Sequence, residues 1–512
     1  MSLRAISVAL GLGLAVSACS ASPAKANGDG DARVVDAADV AAEAPAEVAD
    51  APADEVTPPT WWTAEATRTV DDLAFVDYRG QRLFGLGLHV YSGLVYDGVS
   101  GPGECDPATG QGYLDLNLEK TRAAFEAGAN FVYLWGYGPA GVELVAHDPR
   151  PFGAIRAGDG YGTERPIEQD LIPLIFEGYG EKDLDGVQDG EAEAMRARFE
   201  AFQAREGEFS PQAMPHLPDD VKWMCWHPTY RMIGGPSPAC PDCLPDEQVA
   251  AMAQATNMMI PDTYTYAENH WDAGSLEALI YQQKGQKGEG YDQWLETDDP
   301  DHRHLFSDGW ALAHSVATHR KPGAVVWMWL QGFSYSDAIR QTECEGRKAD
   351  SWAGGAFPPE RYLVKEITSF LAAGATGFVV FGYPGLRWPE AERIHALLRA
   401  LSSPEVYGPA LLSPRLDLGQ DLTNTGDGGR AHLLVKWDDA GRRAFVIGAN
   451  PGAKATEVAV EFPWTLEKAE VLDWSRAAFD EAGEVRLADK TLRYEIPKDS
   501  GFIVRVTPLQ RP

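Results

Sequence analysis

Residues 324–337 read AVVWMWLQGFSYSD, and this stretch organises the reading of the chain. An unbroken apolar run, 324–330, ends in Gln331, Phe333, Tyr335 and Asp337. Seven apolar residues are too few to span a bilayer, but they match a β-strand buried on both faces. At the end of such a strand an α/β protein gathers its chemistry.

Working outward, the same unit recurs. Residues 73–78 and 83–89 flank Arg79-Gly80-Gln81-Arg82, a hairpin leading into a first buried strand that ends at His89 and Tyr91. Leu114, Leu118, Thr121 and Phe125 fall at helical spacing before Gly128, and FVYLWGY (131–137) follows as a strand. Further strands are expected at 170–176, 221–230, 257–266 and 377–383. Helices are expected at 191–205, 246–255, 308–319, 359–373 and 390–401. Strand alternating with helix over more than 300 residues implies α/β architecture with a parallel sheet. Seven strands are clear. About eight units would close a (β/α)8 TIM barrel, with an open doubly wound sheet as the alternative. Past residue 412 the texture changes to short alternating or apolar runs separated by turns, as expected of a small C-terminal all-β sandwich.

The expected organisation is therefore a leader at 1–18, a linker at 19–60, a barrel at 61–411 and a sandwich at 412–512. Arg4 followed by the apolar stretch 5–15 has the form of an export signal. Val16-Ser17-Ala18-Cys19 resembles the bacterial lipobox, which implies cleavage before Cys19 and its acylation. Ser20, rather than Asp, then implies the outer membrane or cell surface. Residues 20–60 are Ala, Asp, Glu and Pro with almost no large apolar side chains, a flexible acidic tether.

Acidic residues outnumber basic ones 76 to 44, a net charge of −32. That balance excludes a nucleic-acid partner, whose phosphates require a basic face. Five cysteines remain after Cys19: Cys105, Cys225, Cys240, Cys243 and Cys344. An odd number leaves at least one unpaired. The single CxxC at 240–243 has no second pair or spaced histidines to make a zinc site, and a local disulfide suits it better. No GxSxG, HExxH, Walker loop or GxGxxG after a strand is present.

The strand ends collect His89, Tyr91, Trp135, Tyr137, Trp226, His227, Tyr264, Gln331, Tyr335 and Tyr383 as candidate substrate-binding residues. Flat aromatic faces beside hydrogen-bonding groups suit a sugar ring and its hydroxyls, although some of these aromatics are also suited to plugging a barrel. The helix followed by GAN and FVYLW, the strand PDTYTY, and VVWMWLQGF with the later PPERYLVKEITSFLAAGATGFVVFGY resemble barrel glycoside hydrolases over about residues 70–510. The resemblance implies hydrolysis by two carboxyls, one an acid and the other a nucleophile or base. It also implies a Glu ending the fourth strand. The strand counted fourth here ends Trp226-His227-Pro228, without one. Asp262, Glu177 and Asp337 are the candidate catalytic carboxyls. Two readings follow: a surface lipoprotein hydrolysing extracellular polysaccharide or oligosaccharide, or a non-catalytic glycan-binding lipoprotein on a degenerate barrel. Carbohydrate and, through Cys19, the membrane are the expected partners.

No cofactor is required by this chemistry. Glu181, Asp183, Asp185 and Asp189, with Gly186 at the sixth position, resemble a calcium loop. A structural calcium and a solvated acidic loop both fit them.

Overall fold

The computed structural model describes residues 68–91, 113–135, 154–156, 175–179, 190–229, 244–262, 310–332, 358–381, 388–422, 431–450, 455–481, 485–497 and 500–509, apart from 79, 216, 218, 220 and 359, together with Met232 and Tyr383. Strands β1 (Thr69–Val70), β2 (Val76–Tyr78), β3 (Gln81–Leu83) and β4 (Gly85–Tyr91) come first. Helix α1 (Tyr113–Glu126) leads to β5 (Phe131–Trp135), β6 (Ala154–Arg156) and β7 (Ile175–Tyr179). Helix α2 (Glu191–Ala204), β8 (Trp223–Trp226), α3 (Asp246–Ala253), β9 (Met258–Met259) and α4 (Trp310–His319) follow. Next come β10 (Val325–Val326), β11 (Met328–Gln331), α5 (Glu360–Ala372), β12 (Gly377–Phe381) and α6 (Trp388–Ser402).

One parallel ladder runs β10-β9-β8-β7-β6-β5-β4-β12-β11. Its two ends, β10 and β11, are successive pieces of residues 325–331, parted only by Trp327. The first piece pairs with β9 and the second with β12. The ladder therefore returns to the segment it starts from, a ring of eight parallel segments, where an open sheet would leave two edges. The eighth segment absent from the sequence reading is β6. Three residues are too short to register a period, and its pairing with β5 and β7 defines it. The insertion changes the count: starting from β4, the strand ending at Trp226 is the fifth, and the fourth is β7, which carries Glu177.

The unbroken apolar run of 324–330 follows from this closure. Side chains alternate across a strand. Val325, Trp327 and Trp329 join Phe131, Tyr133, Ile175, Trp223, Cys225, Met258, Ile260 and Val379 in the cluster inside the ring. Val326, Met328 and Leu330 join Phe176, Met224, Trp226, Met259, Phe378 and Val380, packed with helix residues such as Phe125, Phe199, Val316, Leu363 and Leu397. Both faces are apolar because both are covered. The hairpin β2–β3 adds Val76 and Leu83 to the inner cluster.

Trp327 fills the inside near the start of β4 and β12. A Cβ at Gly85 would come within 2.4 Å of its indole, and one at Gly377 within 2.7 Å. The large ring is accommodated because its two neighbours have no side chain.

The C-terminal part comprises β13 (Arg415–Leu416), β14 (His432–Asp438), β15 (Arg443–Asn450), β16 (Thr456–Glu461), β17 (Leu466–Asp473), β18 (Ala478–Asp480), β19 (Val485–Ala488), β20 (Thr491–Ile496) and β21 (Ser500–Pro508). They form two sheets, β1-β13-β14-β15-β21-β17-β18 and β16-β20-β19. Val435, Trp437, Val446 and Val504 of the first share a core with Val458, Val460, Leu492 and Ile496 of the second. The other face of the larger sheet, through Phe445, Ile447 and Ile503, belongs to the same cluster as the helices around the ring. Helix α5 is thereby enclosed: every residue from Tyr362 to Leu371 is buried. A Cβ at Gly501 of β21 would lie 1.9 Å from Thr368 Oγ1, so strand and helix approach at backbone distance. Among the described residues no helix is long and apolar enough to cross a membrane.

Lys436 of β14 lies in this seam, 1% exposed. Its ammonium donates to Leu411 O at 2.5 Å and sits 5.6 Å from the Phe75 ring centre. Burial lowers its pKa to about 7, against the opposing pull of Asp72.

Two predictions follow from the packing. Gly85→Ala should lower stability by about 1–3 kcal/mol through overpacking against Trp327, read from urea unfolding. The Lys436 amine takes up a proton on unfolding between pH about 7 and its ordinary 10.5, so its contribution to stability rises with pH across that window. In Lys436→Met the melting temperature should rise less between pH 7 and 9 than in the unaltered protein.

Candidate functional site

The polar residues inside the ring gather at the C-terminal ends of its strands. His89 and Tyr133 are register partners on β4 and β5. Glu177 of β7 is the register partner of Cys225 on β8, and His227 follows β8. Trp329 and Gln331 lie on β11, and Phe381, which ends β12, is opposite Gln331. Tyr133, Glu177, His227, Trp329, Gln331 and Phe381 each stand two residues further along the chain than a member of the inner cluster, and His89 stands two beyond Gly87. The alternation that fills the ring also points these groups into it.

A continuous polar contact joins three of them. Tyr133 Oη–H donates to Glu177 Oε2, and Tyr133 Oη lies 3.1 Å from His227 Nε2. His227 Nε2 lies 3.5 Å from Glu177 Oε1. The other imidazole nitrogen, Nδ1, receives the indole N–H of Trp329 at 2.9 Å and lies 3.2 Å from Ile260 O. Tyr133, Glu177 and His227 are 2%, 7% and 4% exposed, so their interactions act where water screens little.

Aromatic rings frame this contact. His89 stacks on Phe381 at 4.6 Å, nearly parallel, and Trp329 meets Tyr133, His89 and Phe381 edge-on at 4.9–5.4 Å. The strand carrying Glu177 is irregular just beyond it. The β7–β8 register shifts between Glu177 and Tyr179, where a Cβ at Gly178 would strike Met224 at 2.3 Å. Arg198 of α2 donates to Gly178 O and pairs with Glu208, bracing that bulge from outside. A bulge of this kind re-aims the side chain beside it.

Cys225 is a buried free thiol. Its pKa is pushed up by burial and, secondarily, by the charge of Glu177. That disfavours the thiolate and with it a nucleophilic cysteine.

Of the sequence candidates, the structure brings together His89, Glu177, His227 and Gln331. Asp262 is half-buried beyond β9. Its backbone N–H donates to Pro228 O at 2.7 Å, which keeps its segment in step with β8, and its position has the parity of Met258 and Ile260. Two aromatics lie elsewhere. Trp226 is fully buried in the cluster between ring and helices, because its parity is opposite to that of Cys225 and His227. Tyr383 packs in the same outer cluster. Its hydroxyl donates to Lys120 O at 2.7 Å and meets His395 Nε2 at 2.6 Å. Burial raises the Tyr383 pKa well above its usual value and lowers that of His395 to about 4, which makes this a neutral contact between α1 and α6. Asp337, Tyr137, Tyr264, Tyr335, the loop Glu181, Asp183, Asp185 and Asp189, and Cys19 lie outside the described residues, as do the side chains of Tyr91 and Trp135. Among the described residues no cluster suited to a metal ion occurs.

Tyr133, Trp329 and Phe381 are site residues that the sequence reading missed. The polar and aromatic residues that end a strand are the visible ones in the sequence, whereas the inward groups start two residues earlier. Counting back by two from Gln331 gives Trp329, and from Trp135 gives Tyr133.

No protein-family model matches the chain, and no curated protein matches it. Solved structures similar to it include a maltogenic α-amylase from Thermotoga neapolitana, at 12% identity and TM-score 0.39, covering 83% of this chain and 98% of that one. Another is a putative α-galactosidase from Bacteroides fragilis, at 8% identity and TM-score 0.39, covering 84% and 81%. A family 51 α-L-arabinofuranosidase from Bifidobacterium longum is similar at 13% identity and TM-score 0.37, covering 86% and 98%.

Replacing Tyr133 by Phe removes the hydroxyl that bridges Glu177 and His227. The loss should destabilise the fold by about 1–3 kcal/mol, measured by urea unfolding, because buried polar groups lose a partner.

Proposed function

We propose that the chain is a carbohydrate-active protein that hydrolyses glycosidic bonds with Glu177 at the centre of its chemistry. The observation that carries this reading is the contact of Glu177 with Tyr133 and His227 inside the ring, at the ends where parallel-ring enzymes hold their catalytic groups. Glycoside hydrolysis requires a pair of carboxyls flanking the scissile bond. Glu177 is one, and Asp262, at the end of the strand next but one, is the partner we assign among the described residues. His89, Trp329 and Phe381 supply aromatic faces against which a sugar ring packs, and Gln331 an amide for its hydroxyls.

The finer architecture belongs to the same reading. The cyclic ladder with helices following most of its strands supports a (β/α)8 barrel, and two antiparallel sheets around one core support a β-sandwich after it. The lipobox-like residues ending in Cys19 support export and lipid anchoring at the outer membrane or cell surface. The acidic loop at 181–189 supports a structural calcium by its residue spacing alone.

The second reading is a glycan-binding lipoprotein that does not cleave. It is favoured by the enclosure of Glu177, Tyr133 and His227, each under a tenth exposed. One experiment separates the two. The protein is assayed for reducing ends on starch, xylan, arabinan and aryl glycosides, and for binding to the same glycans by calorimetry. Hydrolysis that falls about 100-fold or more in Glu177→Gln, with binding kept, is the expected result. Binding without release of reducing ends would favour the second reading, and neither binding nor release would overturn both.

A further inference from the structure

We propose that Trp329 is a positioning residue: its indole N–H holds His227 in the tautomer protonated on Nε2, and this makes Glu177 the proton-accepting carboxyl of the site. The assignment of a catalytic role rests on the glycosidase reading; the tautomer does not.

An indole N–H only donates, and a backbone carbonyl only accepts. His227 Nδ1 faces both, Trp329 Nε1 at 2.9 Å and Ile260 O at 3.2 Å. A single ring nitrogen cannot accept from one and donate to the other in the same state. A proton on Nδ1 would set two N–H groups head to head at the shorter distance, inside a buried cluster. A bare Nδ1 leaves Ile260 O with a weaker environment, which a carbonyl tolerates better than an N–H does. The bare form is therefore favoured.

The rest follows along the chain of contacts. With Nδ1 bare, the neutral ring carries its proton on Nε2. That N–H points to Tyr133 Oη at 3.1 Å, nearer than Glu177 Oε1 at 3.5 Å. Tyr133 has one proton, and with its oxygen accepting from His227 the O–H goes to Glu177 Oε2. Trp329, His227 and Tyr133 thus donate in one direction, and the sequence ends on the Glu177 carboxyl. Hydrogen bonds aligned in this way polarise one another. A carboxyl at the receiving end acts as base or nucleophile, and the proton for the leaving oxygen comes from another group, for which Asp262 is our candidate.

The test reads the tautomer directly. The full chain is labelled with 15N-histidine, and long-range 1H–15N correlations are recorded at neutral pH, with His227→Gln assigning the signal. The expected pattern is a pyridine-type Nδ1 and a pyrrole-type Nε2 for His227. In Trp329→Phe, Ile260 O is the remaining partner of Nδ1, and the ring should shift towards the Nδ1–H form. In Tyr133→Phe, which keeps the indole donor, Nδ1 should stay bare. A protonated Nδ1 in the unaltered protein or in Tyr133→Phe, or an unchanged tautomer in folded Trp329→Phe, overturns the proposal. Because no glycan is needed, a protein that cleaves nothing would fail the functional reading and leave the tautomer standing.

Discussion

Every strand of the ring must bury two faces at once, and the period of two along a strand decides what goes to each. Outward positions meet helices and are uniformly apolar. Inward positions meet each other, and the space between them is limited. Near the start of β4 and β12 that space is taken by Trp327, with Gly85 and Gly377 yielding room. Further along, the same parity delivers His89, Tyr133, Glu177, His227, Trp329 and Gln331 to one place. Filling the ring and building the site are thus one geometric requirement met at different heights.

The enclosure of the polar groups has chemical consequences. In a setting with little water, each donor requires a specific acceptor. Tyr133 answers Glu177, and Trp329 answers His227. The bulge at Gly178, braced by Arg198, sits where the strand has just delivered Glu177. The machinery therefore depends on groups well outside the contact itself, including a helix that faces solvent.

The C-terminal sheets are tied to the ring by burial as well as by sequence. Helix α5 shows one apolar face in the sequence, through Leu363, Ile367, Phe370 and Leu371, as an ordinary amphipathic helix does. In the folded chain its other face is covered by β15 and β21, so that Lys365 and Glu366 are buried together 3.5 Å apart. Strand β1, from the start of the described chain, pairs with β13 and extends the larger sheet. Lys436 lies in the same seam, held by one carbonyl and depressed in pKa by burial.

Local sequence determined a good deal. The hairpin before β4, the six described helices to within a few residues, and the change from mixed to all-β texture past residue 412 were readable, because periodicity, turns and caps are local. Glu177, His227, His89 and Gln331 were readable as strand-end polar groups. Tertiary structure decided the rest. The three-residue β6 exists only through its pairing with β5 and β7, and without it the strand count is wrong by one, which hid the fact that the fourth strand carries a Glu. The inward or outward direction of Trp226 and His227, adjacent in sequence, depends on the register of the closed ladder. So does the meeting of Trp329, Tyr133 and Glu177, which lie more than 40 residues apart from one another and share a site because ring closure brings the same parity of every strand to one interior.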